Sequence, residues 1–202
     1  MEKLVINKLG PIKSCKLDIN DFMVFTGTQA SGKSTIAKSI FFFKNVKNLL
    51  LIQVNKRFLD EYNTMELSTK NRLLKEIRSN FLQTFGTTWC MDNDMYMEYY
   101  YTDTIFIKIR LKDDPISPNY IWIDLSEDLI RFIDSYDKLN NDELLREYNS
   151  GRIKKGVEEF FGNNEEVIYI PAGRSMMTLF SSQLMFIYSV MNDDQKRSLD
   201  YC

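Results

Sequence analysis

GTQASGKST, residues 27–35, is the stretch that decides how the rest of the chain is read. Its spacing fits G-x-x-x-x-G-K-[ST], with Gly27, then Thr28, Gln29, Ala30 and Ser31, then Gly32, Lys33, Ser34 and Thr35. Glycines let a backbone curl until successive N–H groups point inward at an anion, and a following helix adds the positive end of its dipole. In such a cradle Lys33 reaches the β- and γ-phosphates as the candidate catalytic cation, and the Ser34 hydroxyl binds Mg²⁺. Context decides between this and a plain glycine-serine turn. Before the motif stands DFMVFTG, whose Phe22–Phe25 run suits a buried strand over 22–26. After it, Ile36, Ala37, Ile40 and Phe41 recur at helical spacing, predicting a helix from Lys33 to about Lys44. Strand, glycine loop, helix is the setting a phosphate cradle requires.

Bulk composition narrows the classes. At 202 residues, with 44% hydrophobic content and four prolines, the chain suits one folded α/β domain, or one domain with a small lobe. A formal net charge of −2 gives no general attraction for nucleic acid. Cys15, Cys90 and Cys202 are odd in number and far apart, which offers no metal pair or disulfide framework and suits a reducing cytoplasm. The opening MEKLVINKLG alternates and lacks the apolar core of a signal peptide. Residues 175–192, SMMTLFSSQLMFIYSVMN, are uncharged but diluted by serines and Gln183, so a buried helix is expected there and no membrane contact. The chain has no histidine. That excludes a Ser-His-Asp triad, a Cys-His dyad and imidazole zinc sites.

Periodicity organises the remainder. Alternation predicts strands over 3–9 and 14–19 about the Gly10-Pro11 turn, while LLLIQV (49–54) reads equally as helix or strand. Helical patterns cover 57–66 and 69–85, the second capped by Ser68 or Thr69, striped by Leu73, Leu74, Ile77, Phe81 and Phe85, and closed by Gly86. The period then drops to 2, predicting two or three antiparallel strands over 95–125. Helices follow from Ser126 and over about 142–148, then a core strand over 166–171 and the uncharged helix. One domain over 1–202 is expected, with segments 1–56, 57–94, 95–125 and 126–202.

With those residues in place, LVINKLGPIKSCKLDINDFMVFTGTQASGKST resembles the amino-terminal lobe of ABC-type ATPases of the SMC, RecF and OLD-like branch. YIPAGRS (169–175) is similar to a stretch in bacterial AAA-family ATPases of that branch. The resemblance implies an α/β P-loop NTPase core with an ABC-type antiparallel β subdomain, ATP and Mg²⁺ as cofactors, and work in DNA repair or phage defence. It implies a homodimer or a second polypeptide, with nucleic acid as a further partner that the charge does not support. It also lets Lys13 reach nucleotide. The signature segment, the Walker B strand and the switch histidine of such proteins are missing, so the chain reads as half of an ATPase, expected to bind nucleotide and turn it over poorly.

Other features have plainer readings beside them. YIWIDLSE could supply Asp124 and Glu127 as Walker B acids, but an antiparallel strand ending at the helix cap Ser126 is favoured. Gln53, Gln83 and Gln183 are candidates for the glutamine that reaches toward Mg²⁺, each better read as a surface residue. Arg174, after the 166–171 strand, stands equally as a phosphate or domain contact and as a loop arginine. The tyrosines of YMEYYYT could stack bases, yet strand faces account for them more simply. RIKK (152–155) and NKR (55–57) are too short to indicate DNA binding. A small-molecule or nucleotide kinase and a non-enzymatic, nucleotide-regulated interaction module stay open. A GTPase is disfavoured, since VNKRF lacks the aspartate of N-K-x-D.

Overall fold

The computed structural model describes residues 1–59, 68–112, 119–162 and 166–170. The chain divides into two units, Met1–Val167 and Ile168–Cys202, and of the second only residues 168–170 are described. The first unit is mixed α/β. Among the described residues its five strands, β1 (Lys3–Leu9), β2 (Ile12–Asp18), β3 (Tyr96–Tyr100), β4 (Phe106–Lys112) and β5 (Tyr120–Leu125), pair antiparallel in the order β2-β1-β3-β4-β5. Among the described residues six α-helices accompany them: α1 (Lys33–Lys44), α2 (Val46–Leu59), α3 (Thr69–Phe85), α4 (Glu127–Asp137), α5 (Asn141–Asn149) and α6 (Arg152–Phe161).

Alternation fixes which side of the sheet is dry. Leu4 and Ile6, Met97 and Tyr99, Ile107 and Ile109 are fully buried, while their sequence neighbours face outward. A strand that buries one face reads apolar-polar-apolar, and a one-residue slip would turn every inner side chain into water. The β1–β2 connection is tighter than expected. Leu9 pairs with Ile12, which leaves only Gly10 and Pro11 in the turn, and Gly10 takes the positive φ of 56° that the first position of such a hairpin turn demands. β2 therefore starts two residues before the expected position.

The helices close the inner face through aromatic contacts. Phe43 stacks on Tyr99 with ring centroids 5.2 Å apart, and Tyr101 meets Phe161 edge-on at 4.7 Å. The Tyr101 hydroxyl donates to the Phe43 carbonyl, and Tyr99 donates to Glu2 Oε2 at 2.7 Å. Burial pushes both phenols well above the usual tyrosine range, with the Glu2 carboxylate adding to the effect. Ser68 caps α3 by accepting from the Asn71 N–H, and Ser126 caps α4 by accepting from Leu129. At α5 the capping box is complete, with Asn140 and Glu143 each accepting from the other's backbone N–H.

Four sequence expectations are corrected or completed here. LLLIQV is helix, because Val46, Leu50 and Val54 fall at i, i+4, i+8 and are all buried. The helix expected over 57–66 appears as the end of α2 up to Leu59, and the rest lies outside the described residues. α6 was not anticipated. Its Ile153, Val157 and Phe161 stripe is regular, but Gly156 interrupts the helix-forming run. A Cβ at Gly156 would stand 3.1 Å from the Tyr136 hydroxyl, so the glycine makes room for α4. Finally, neither 22–26 nor 166–170 joins a ladder among the described residues. Phe22 is 84% and Val24 67% exposed, where a buried strand was expected. Among the described residues the five strands hydrogen-bond to one another and leave the 22–26 backbone without a neighbour.

Candidate functional site

Residues 27–32 curl because three of them take positive φ: Gly27 at 142°, Ala30 at 60° and Gly32 at 95°. Gly32 then forms the N-cap of α1, with no side chain capping the first turn. Those first N–H groups carry the positive end of the helix dipole, the arrangement that favours an anion. The Lys33 ammonium folds back into the curl. It donates to the Gly27 carbonyl at 2.9 Å, to the Thr28 carbonyl, and to Ser31 Oγ at 3.2 Å. Three neutral oxygens thus hold one cation at the loop, and a phosphate oxygen would be a stronger acceptor than any of them.

The β1–β2 turn fixes this loop in place. A Cβ on Gly32 would lie 2.7 Å from Ile12 Cγ1 and 3.5 Å from Pro11 Cγ, so the turn packs directly on the loop-helix junction. One added on Gly10 would lie 4.0 Å from Thr35 Oγ1. The LGPIK stretch therefore has a physical role: it is the wall against which the 27–32 curl is pressed.

Beside the first turn of α1 lies a cavity of about 730 Å³. Thr35 and Lys38 line it from α1, Lys13 from β2, and Leu9, Ile12, Phe85 and Met91 supply apolar surface. Lys8 also reaches it, but its charge is matched by Asp92 at 3.2 Å and Asp94 at 2.9 Å. The Asp94 backbone N–H and the Lys8 ammonium hold the Asp92 carboxyl below its usual range, while Asp94 and Asp92 raise Lys8. Lys13 and Lys38 have no such ion pair among the described residues. Lys38 escaped the sequence reading although it follows Ser34 by one helical turn. Phe85, Cys90 and Met91 reach the cavity from a distant part of the chain, and nothing local signals them.

The residues fit a phosphate better than they fit a caged metal. Ser34 is exposed in the first turn, and no group of three or more acids or thiols among the described residues could hold an ion. Mg²⁺ would take the Ser34 hydroxyl, with phosphate oxygens and water completing its shell. Asp124 and Glu127 do not approach the loop. β5 is the opposite edge of the sheet from β2, four strand spacings or roughly 19 Å away. There Asp124 accepts from Trp122 Nε1 at 2.7 Å and pairs with Arg110 at 3.4 Å, while Glu127 pairs with Arg131 at 2.9 Å. YIWIDLSE is the antiparallel strand and helix cap that the plainer reading gave.

Gln83 is exposed and donates to Ser79, as expected of a surface glutamine, but Gln53 is buried within α2, against the surface position expected for it. Gln183 and Arg174 lie outside the described residues, as does most of YIPAGRS. No described helix is long and apolar enough to cross a membrane. Comparison with protein-family models, with curated proteins and with solved structures gave no match to this chain.

Proposed function

We propose that this chain is the ATP-binding lobe of an ABC-type, SMC-like P-loop ATPase, acting with a second copy or another polypeptide. The observation that carries the reading is the Gly27–Thr35 curl: positive φ at both motif glycines, an uncapped helix N-terminus, and the Lys33 ammonium held inside by weak acceptors. ATP bound with Mg²⁺ supplies a phosphoanhydride whose hydrolysis releases the state that binding stabilises. Backbone N–H groups of 27–35 receive the β- and γ-phosphates, and Lys33 exchanges the Gly27 and Thr28 carbonyls for a phosphate oxygen. Ser34 offers its hydroxyl to Mg²⁺, and the cavity of Lys13, Thr35, Lys38, Phe85 and Met91 receives the base and ribose.

Hydrolysis needs a base beside the γ-phosphate. Among the described residues the acidic candidates Asp124 and Glu127 stand at the far sheet edge, so the base comes from elsewhere. The bare 22–26 segment, with Phe22 and Val24 in water, supports a partner surface next to the cradle.

The test is one incubation of the chain with radiolabelled Mg-ATP, scored for bound and hydrolysed nucleotide beside Lys33→Ala. Binding without turnover is expected, weakened about tenfold or more in the variant, as for the loss of one charge-assisted contact. Turnover that depends on Lys33 would place the base within this chain and overturn the need for a partner. No binding by either protein would sink the ATPase reading and leave a structural loop.

A further inference from the structure

The outer side of β3, β4 and β5 is built differently from the inner side. Its aromatic positions are Tyr96, Tyr100, Phe106, Tyr120 and Trp122. Between them stand Lys108, Arg110 and Lys112, and the remaining positions are Glu98 and Asp124. None is aliphatic. Register sets the rows: Tyr96 lies opposite Arg110, which lies opposite Trp122, and Lys112 lies opposite Tyr120. Trp122 is 38% exposed.

The rings are held and carry charge. The Trp122 indole N–H is fixed on Asp124, and Lys112 Nζ stands 4.7 Å from the indole centroid. Lys108 lies 5.0 Å from the Phe106 ring, and Arg78 lies 5.0 Å from that of Tyr120. Cross-strand pairing that merely keeps a sheet face wet explains part of this, since Lys108 meets Glu98 and Arg110 meets Asp124, each at 3.4 Å. It does not explain the exposed indole of Trp122. Nor does it use Lys112, or Lys3 and Lys16 on the same side of β1 and β2, which make no ion pair among the described residues.

The geometry points to this open face as a binding surface for single-stranded nucleic acid, its bases stacking on Tyr96 and Trp122 and its phosphates meeting Arg110 and Lys112. Cations outnumber acids on this side, in a chain whose net charge is −2, so the local sign suits a polyanion. Flat rings alternating with cations match a strand of unpaired bases, whereas a duplex keeps its base faces stacked inside. A packed protein partner would call for an apolar core to the patch, and the outward positions of β3, β4 and β5 carry no aliphatic side chain. A groove of about 690 Å³ among Tyr96, Lys108, Arg110 and Asp124 gives the strand a bed.

The test uses the full chain without nucleotide, so its failure is separate from failure of the ATP reading. An oligothymidylate of about 16 nucleotides is titrated in, following intrinsic tryptophan fluorescence and the anisotropy of a labelled copy. Saturable quenching is expected, because Trp122 lies at the face. Trp122→Ala and Tyr96→Ala each weaken binding about tenfold or more, Tyr96→Phe restores it, and Arg110→Gln lowers the salt slope by about one. The proposal is overturned by no quenching and no anisotropy change, by unaltered affinity in both alanine variants, or by a blunt duplex competing as well as the single strand. Quenching that follows protein concentration alone, with self-association in sedimentation, would give the face to a second copy and equally overturn it.

Discussion

Residues 3–9 and residues 22–26 carry the same kind of message, a short extended run rich in apolar side chains, and they end in opposite states. In β1, Leu4 and Ile6 are fully buried, and the backbone is paired on both sides, to β2 and to β3. In 22–26, Met23 and Phe25 are half-buried, Phe22 and Val24 stand in water, and no described strand reaches the backbone. A strand pattern declares what a segment can bury. It does not declare who will bury it. The sheet is closed on its inner side, while the segment leading into the 27–35 curl pairs with no described strand, and this divides the first unit into a closed and an open region.

The sharpest way to break that division is to strike the closed region. Phe43 is fully buried, stacked on Tyr99 and edge-on to Phe42 at 5.1 Å. Phe43→Ala should cost about 3–5 kcal/mol and lower the melting temperature of the whole first unit. A loss below about 1 kcal/mol in denaturant titration would mean that the sheet and helices do not share one core.

Gly32 joins the two regions, so it tests both. Its φ of 95° is strained for any side chain, and a Cβ would press on Ile12. Gly32→Ala should cost about 1–3 kcal/mol and abolish nucleotide retention together. A variant that melts normally yet still binds Mg-ATP would detach the cradle from the β1–β2 turn.

Tyr101→Phe probes the closed region more gently. It removes the hydroxyl that donates to the Phe43 carbonyl, for about 1 kcal/mol. It also has a pH signature. Burial raises the native phenol, so the fold keeps a proton that the unfolded chain releases near pH 10, and stability present below that pH is lost as the pH climbs. The variant should melt with a shallower alkaline decline than the parent. An unchanged alkaline slope would show that Tyr101 titrates as if exposed.

The same contrast explains how much could be read in advance. The strands of the antiparallel sheet, the caps at Ser68 and Ser126, and the α3 stripe were legible because each depends on side chains within one turn or one alternation, whereas the strands expected over 22–26 and 166–171 were not found. The curl of 27–35 was legible for the same reason, since glycine at Gly27 and Gly32 permits the φ values the loop takes. What escaped depends on distant parts. Phe85, Cys90 and Met91 reach the cavity beside α1 from the end of α3 and the turn after it, and Gly156 hid α6 because its reason is Tyr136 on another helix. YMEYYYT shows both limits. Its period separated inner Tyr99 from outer Tyr96 and Tyr100, but only the register with β4 and β5 placed Arg110 and Trp122 beside them.

The smallest effect expected is the one that bears most directly on the bare segment. Phe22→Asp and Val24→Asp replace side chains that already stand in water, so each should move stability by no more than about 0.5 kcal/mol. Nucleotide binding by the chain alone should persist, because neither side chain belongs to the 27–35 curl. If either variant cost about 2 kcal/mol or more in denaturant titration, the segment would be packed in solution and its contrast with β1 would collapse. If both were silent in the isolated chain but cancelled the turnover that an added partner restores, the exposed side of 22–26 would be the surface on which that partner sits. Stability that stays level while coupled activity is lost would separate a waiting edge from an ordinary loop.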